Sequence, residues 1–567
     1  MGKDIAKLVE VAAGRAQPDL VFKNSNIVNV FTGEIKPGDL AQADGYIAGV
    51  GQYSGPKDVD STDRYLCPGF VDAHVHIEST MVLPGELVRM VLPWGTTTMI
   101  ADPHEIVNVC GAKGMQFMLD ASRDLPCNLY YMLPSAVPST TFETAGAAFT
   151  EEEMRPFLSD PHVLGLGEAM QFTDVVAGRG HIMQLLEAFQ GRPIDGHAPG
   201  LSGQALQAYA AAGVRSEHES TTYAEAAEKA CAGIAIMVRE GSAAHNLAAI
   251  VGGLVDQDMP TDQFMFCTDD KHLDDINRDG HIRWNVKLAI EAGMAPVDAI
   301  RMATLNAARH YGLHDIGAIA PGYKADIVML SSLKQVAVER VYKDGISAAA
   351  RLADVPAFCP ADGEILHSVK APELSVADLK LAVDGETDVI EMVPYQLVTR
   401  HLREAVPCEN GFFVPDETYS KLCVVERHGK NGNIALAPLK GYGITGGAVA
   451  TTVAHDSHNI IAAGDNDADI VLAVNHLREM GGGYVLVGAG EVIGEVPLAV
   501  GGIMSTGTAE EVQWSVGEII QLAGEMGIPY FVDPFTSLSF MALPVIPALR
   551  LTDKGLFDVE RFELIRS

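Results

Sequence analysis

The chain reads as an α/β protein. It combines a closed parallel (β/α)8 TIM-like barrel, a small β-domain built from segments on both sides of the barrel, and a C-terminal α/β domain. Three observations predict this. From Gly69 onward, apolar stretches of strand length alternate with longer stretches of helical periodicity. Eight such strands can be counted, at residues 70–76, 96–102, 128–133, 163–168, 194–197, 214–218, 234–239 and 264–269. Short β-patterned runs with glycine turns flank that region, at 20–30 and 46–50 before it and at 317–330 and 336–344 after it.

Taken in order, residues 5–16 carry loose helical spacing. Turns at Thr32-Gly33 and Asp44-Gly45 separate the first two strands. Helical stretches such as 83–91, 205–212 and 223–232 supply the crossovers that parallel strands require. A helix over 298–310 follows the last barrel strand. Pro321-Gly322 then turns the chain into a strand that runs through Leu330, and a further strand ends at Asp344-Gly345. Beyond Pro372 the chain is rich in Gly and Val, with strand-like runs at 434–436, 447–453, 470–474 and 483–487. The expected division is 1–66 and 313–371 for the two parts of the composite β-domain, 67–312 for the barrel and 372–567 for the C-terminal domain.

Composition excludes several classes. The chain has 567 residues, 48% hydrophobic and 20% charged, which is globular usage rather than disorder or a collagen-like repeat. Its net charge of −34 argues against nucleic acid and anionic lipid as partners, because both need a basic surface. The first twenty residues carry Lys3, Asp4, Lys7, Glu10 and Arg15, so no secretory leader is expected there. The longest clean apolar run, 247–255, falls far short of the ~20 residues that span a bilayer. Residues 535–549 are interrupted by Pro544 and Pro547. The eight cysteines form no CxxC pair and fit reduced thiols, so a cytoplasmic location is expected.

The chemistry begins at Asp72-Ala73-His74-Val75-His76. Residues i and i+2 of a strand share a face, so both imidazoles point the same way and can chelate one divalent ion. They stand at the C-terminal end of the first barrel strand, where barrel enzymes keep their reactive groups. The fourth strand ends in Gly165-Leu166-Gly167-Glu168, the fifth in Asp195-Gly196-His197, the sixth in Ser216-Glu217-His218 and the eighth in Cys267-Thr268-Asp269-Asp270. Each brings a metal-competent side chain to the same rim, and buried carboxylates need a cation or hydrogen bonds.

This layout resembles the amidohydrolase superfamily. Longer stretches narrow the resemblance to the bacterial adenine deaminases, and they cover nearly the whole chain. They are Pro68 through Ser79, Gly95-Thr96-Thr97-Thr98, Asp102 through Ile106, Gly165 through Glu168, Asp195 through Gly200, Glu217-His218-Glu219-Ser220, Arg239-Glu240-Gly241-Ser242, Cys267 through Asp270, and Ala454-His455-Asp456-Ser457-His458-Asn459. Many two-metal members carry a carbamylated lysine on strand four, whereas this chain has Glu168.

The resemblance implies two divalent metal ions per chain, manganese or iron in preference to zinc. His74, His76 and Asp269 would hold one ion, His197 and His218 the other, with Glu168 bridging. It also implies a hydrolase acting on the carbon–nitrogen bond of a cyclic amidine. A metal-activated hydroxide would attack C6 of adenine, giving hypoxanthine and ammonia, with Asp269 moving the water's proton. Glu78, His104 and Glu105 are all candidates to protonate ring N1, with no ranking among them. Arg239, Glu240 and Ser242, at the end of strand seven, are candidates to bind the purine edge. The loop His455-Asp456-Ser457-His458 reads as a metal cluster, a lid over the barrel mouth or a surface loop with neither role. A purine base is the expected partner, in a homo-oligomer. The alternatives are deamination of a different purine or hydrolysis of a cyclic amide. A metal-binding protein without catalysis would be signalled by loss of Asp269 or a histidine, and all are present.

Overall fold

The computed structural model describes residues 3–242, 244–356, 358 and 362–565. Its central sheet has eight strands in sequence order: Phe70–Val75, Thr96–Ala101, Asn128–Leu133, Val163–Ala169, Ile194–Gly196, Ser216–Glu217, Ala235–Arg239 and Phe264–Cys267. Every neighbouring pair within it is parallel. The eighth strand returns to the first: Asp269 N–H donates to His74 O at 3.0 Å, and His76 N–H donates to Asp269 O at 3.1 Å. This closure sets Asp269 beside the two strand-one histidines.

The first strand is also stitched to the eighth through Asp72. Its Oδ1 accepts from Thr268 N at 3.1 Å and from His74 N at 3.2 Å, while Thr268 Oγ1 donates to Oδ2. The expected helix over 298–310 is split into Pro296–Met302 and Leu305–His310. The break frees the carbonyl of Ala303 to accept from Val71 N at 2.8 Å, which ties the helix pair to strand one.

A second sheet joins both flanks of the barrel. Leu66 pairs in parallel with Ile27, and Cys67 pairs antiparallel with Val328, so Tyr65–Pro68 is the seam between the early strands and Ile327–Ser332. The sheet also holds strands not expected from the sequence, Glu34–Ala43, Asp58–Asp60, Tyr65–Pro68 and Ile346–Ser347; in the first, Pro37-Gly38 looks like a turn. Pro37 is tolerated because the outer neighbour, Tyr46–Gly51, pairs only from Asp39 onward, so Pro37 lies at a free edge. The first helix is shorter than expected, Ile5–Ala12, with Asp4 accepting from Lys7 N at its start.

The C-terminal region carries an eight-stranded sheet in which only Glu386–Met392 and Ile434–Lys440 pair in parallel. The apolar run 470–474, expected as a strand, lies instead inside the helix Asp467–Met480. Five apolar residues do not distinguish strand from buried helix. Asn466 decides it by capping the helix, its side chain accepting from Asp469 N. Ile470, Ala473, Val474 and Leu477 then pack on Val485, Val487, Ile460 and Ala462 of the sheet.

Among the described residues no helix is long and apolar enough to cross a membrane. The seven described cysteines are free thiols, and Cys359 lies outside the described residues.

Candidate metal centre and active site

Six side chains predicted from the strand ends converge at one rim of the barrel. Glu168 Oε1 lies 3.1 Å from His74 Nε2 and 2.9 Å from His76 Nε2. Asp269 Oδ1 lies 3.5 Å and 3.1 Å from the same two nitrogens. The other carboxylate oxygen of Glu168 lies 2.9 Å from His197 Nδ1 and 3.6 Å from His218 Nε2. Glu168 thus faces two histidine pairs, one through each oxygen. Two of the closely spaced ligand groups are His74 with His76 and Asp269, and His74 with Glu168 and His218.

Outer contacts aim these groups. His76 Nδ1 sits 2.8 Å from Asp102 O, so its N–H is directed to that carbonyl and the Nε2 lone pair is left facing the centre. Asp102 Oδ2 also accepts from Glu168 N at 2.9 Å. A Cβ on Gly167 would fall 2.1 Å from that oxygen, so the glycine before Glu168 makes room for the clamp. Tyr209 OH accepts from His197 N at 3.0 Å.

The electrostatics are those of a site built for cations. Burial opposes charge on His74, yet Asp269 and Glu168 raise its imidazole to about 10. His197 rises to about 9 against burial, through Glu219 and Glu168. His218 falls to about 3, through burial and the neighbouring His74. Burial alone would raise the Asp269 carboxyl, but Arg239 above all, with the histidines, holds it well below the usual carboxylate range. Glu168 Oε1 and the Nδ1 atoms of His74 and His218 are buried without hydrogen-bond partners. The unpartnered Glu168 oxygen, which faces the Nε2 atoms of His74 and His76, fits divalent-metal coordination.

Residues 65–347 match the amidohydrolase family, and residues 396–563 match the adenine deaminase C-terminal domain. An adenine deaminase of Desulfitobacterium hafniense (strain Y51) is 46% identical over 566 residues, covering 100% of this chain and 99% of the relative. Adenine deaminase 2 of Carboxydothermus hydrogenoformans is 44% identical, covering 99% of both chains. This chain belongs to the adenine deaminase family. An adenine deaminase of Nitratidesulfovibrio vulgaris (strain DP4) is also 44% identical, covering 98% of this chain and 97% of that one. Membership of this amidohydrolase branch and the donor cluster together fit a divalent metal site.

Within this adenine deaminase family member, the remaining candidate residues part ways. Glu78 lies at the rim, its Oε1 accepting from Ile106 N at 3.3 Å and its Oε2 buried without a partner. Its carboxyl is pushed up to about 7, first by burial and then by the charge of Glu105. His104 Nδ1 is 4.0 Å from Glu168 Oε1, and its Nε2 is 3.8 Å from Asp456 Oδ1. Glu105 points elsewhere, its Oε1 lying 2.6 Å from His455 Nδ1. Burial would raise its carboxyl, yet His455 and His458 hold it well below the usual range.

Each member of the trio expected at the purine edge is held by another side chain. Arg239 Nη1 lies 2.6 Å from Asp269 Oδ2 and 2.5 Å from Glu219 Oε1, so its guanidinium is spent on two carboxylates. Glu240 Oε1 sits 2.8 Å from His245 Nδ1. Ser242 Oγ donates to Asp275 and accepts from His272 N. Their partners come from the loops after strands six, seven and eight, which sequence spacing does not bring together.

Sequence reading also gave no role to Glu219, which lies 3.4 Å from His218 Nε2 and 3.7 Å from His197 Nδ1. Its signal was available, since it directly follows His218 within the quoted Glu217-His218-Glu219-Ser220 stretch. Asp270 accepts from Ser79 Oγ at the rim.

Proposed function

We propose that this chain is an adenine aminohydrolase that converts adenine and water to hypoxanthine and ammonia. One observation supports this above the others. The six-donor centre sits in a chain that aligns from end to end with proteins named adenine deaminase. In this reading His74, His76 and Asp269 would hold one divalent ion and His197 and His218 a second, with Glu168 serving both. Manganese or iron is favoured over zinc. When bound, such ions supply Lewis acidity and bring the pKa of a water toward neutrality.

The chain's own residues do the rest. Arg239 fixes Asp269 through Oδ2 and leaves Oδ1 toward the centre, placed to accept the proton of the attacking water and return it to the departing ammonia. Negative charge builds at ring N1 as C6 is attacked. Glu78, with a buried and unpartnered Oε2, is the proton donor there in preference to Glu105, which is paired with His455. A homo-oligomer in the cytoplasm, and the four-part division of the chain at 66, 312 and 371, belong to the same reading.

The test is ammonia release from adenine by chain stripped of metal and reloaded with Mn, Fe or Zn, with ions counted per chain. Turnover of adenine but not adenosine or cytosine, at two ions per chain, is expected. Two bound ions with no adenine turnover would sink the substrate assignment and point to other aminopurines or cyclic amides.

A further inference from the structure

The turn after barrel strand six carries a carboxylate that neither the proton transfers nor the two ligand sets use. Consecutive residues of an extended strand face opposite ways, so His218 and Glu219 would not both look inward from one. The strand ends at Glu217, however, and the Glu217 carboxylate bends the chain there. It accepts from Glu219 N at 3.0 Å and from Ser220 Oγ. Lys229, fully buried, fixes the same carboxylate, with Nζ 3.0 Å from Oε2. The bend brings His218 and Glu219 to the same side.

Glu219 Oε1 then stands 3.4 Å from His218 Nε2 and 3.7 Å from His197 Nδ1. The same two nitrogens lie 3.6 and 2.9 Å from the Glu168 oxygen that faces them. Donors sharing one ion at about 2.1 Å stand about 3.0 Å apart at right angles and about 3.4 Å apart in a tetrahedron. The four spacings scatter around those values. An orienting partner would sit on the other ring nitrogen. Glu219 instead approaches the nitrogens that face Glu168, and His218 Nδ1 has no partner at all.

Glu219 also pairs with Arg239, whose Nη1 donates to Oε1 at 2.5 Å and Nη2 to Oε2 at 3.1 Å. That pairing does not exhaust it, because an ionised carboxylate offers about four lone-pair sites and Arg239 takes two. Asp269 shows the same double use, with Oδ2 on Arg239 and Oδ1 toward the histidines of strand one.

We infer that Glu219 is a ligand of the second ion, completing a four-donor set with His197, His218 and Glu168. This deepens the two-ion reading and rests on it. Each ion then has two histidines, an oxygen of Glu168 and one further carboxylate, Asp269 for the first and Glu219 for the second. Arg239 ties those two carboxylates together across the centre.

The experiment titrates Mn(II) into the metal-free full chain, with no substrate present, and follows free Mn(II) by its electron paramagnetic resonance signal. His197→Ala marks the binding step that belongs to the second ion. In Glu219→Ala that step is expected to weaken by at least about 10-fold, the least that loss of even an orienting partner costs. The first ion should stay within about 3-fold of the parent chain. Parental affinity at both steps would overturn the inference. So would a loss at the first ion alone or at both ions equally, because a residue acting only through Arg239 would reach the metals by way of Asp269. Should Glu219→Ala not fold, as judged by its thermal midpoint, Glu219→Gln keeps the size and a partner for Arg239. The same selective weakening is expected there, and parental binding overturns the assignment. A parent chain that binds fewer than two ions sinks the two-ion centre before any variant is compared, and the role of Glu219 falls with it. Absent adenine turnover would sink the reaction alone, since the titration contains no substrate.

Discussion

Asp269 meets two demands at once. One oxygen faces the histidine pair of strand one, and the other is held by Arg239. Its backbone adopts a φ of 59°, an uncommon conformation for a non-glycine residue, while its N–H and C=O complete the barrel seam. The carboxylate is therefore kept ionised and aimed by groups from strands one and seven. Asp269→Asn should keep the fold and most bound metal while lowering kcat about 10²–10⁴-fold, the usual worth of a positioned acid–base group. Near-parental turnover would remove Asp269 from proton transfer. Arg239→Gln separates positioning from substrate binding. A kcat loss of about 10²-fold with little change in KM is expected when a reacting group is displaced. A large KM rise with intact kcat would return Arg239 to the purine edge.

At the scale of elements, strand four shows how backbone space serves the centre. Gly167 leaves room for Asp102, whose carboxylate accepts from Glu168 N and whose carbonyl orients His76. Gly167→Ala should therefore displace Asp102 and weaken metal affinity about 10–100-fold, the usual cost of losing an orienting partner. Metal titration of the purified variant checks this, and unaltered affinity would show the clamp to be dispensable. The strand-end histidines and acids were legible because period-two alternation places them on one face. The helix over Asp467–Met480 was not, because a short apolar run fits both periods and the cap at Asn466 decides between them. The strand Glu34–Ala43 was hidden because the cost of a proline depends on which edge is unpaired.

Across the whole molecule, the C-terminal region is bound to the barrel by a dense polar seam. Thr144 N and Oγ1 donate to Asp553 at 2.8 and 2.7 Å, and Ser457 Oγ donates to Glu143 Oε2 at 2.6 Å. The Glu143 carboxyl is pushed up to about 8 from an ordinary 4.5, first by burial and then by the charge of Asp456. The folded chain thus keeps a proton that the unfolded chain releases, so this site's contribution to stability declines as pH rises from about 4.5 toward 8. Glu143→Gln removes that decline. The variant should match the parent near the low end of this window and exceed it by about 1–3 kcal/mol at the high end. Urea unfolding at both ends measures the difference, and a parallel pH dependence in both proteins would show that Glu143 does not titrate in the window.

The sequence by itself determined the barrel, its strand order and the donors at its rim. Each of these follows from local periodicity and from residue types at strand ends, which are short-range properties of the chain. The tertiary structure alone decided which charged groups meet. Arg239 pairs with Asp269 and Glu219 rather than standing free, and Glu105 turns to His455, 350 positions along the chain, rather than to the centre. Such pairings depend on where loops from different strands end in space, and side-chain spacing along the chain carries no record of that distance.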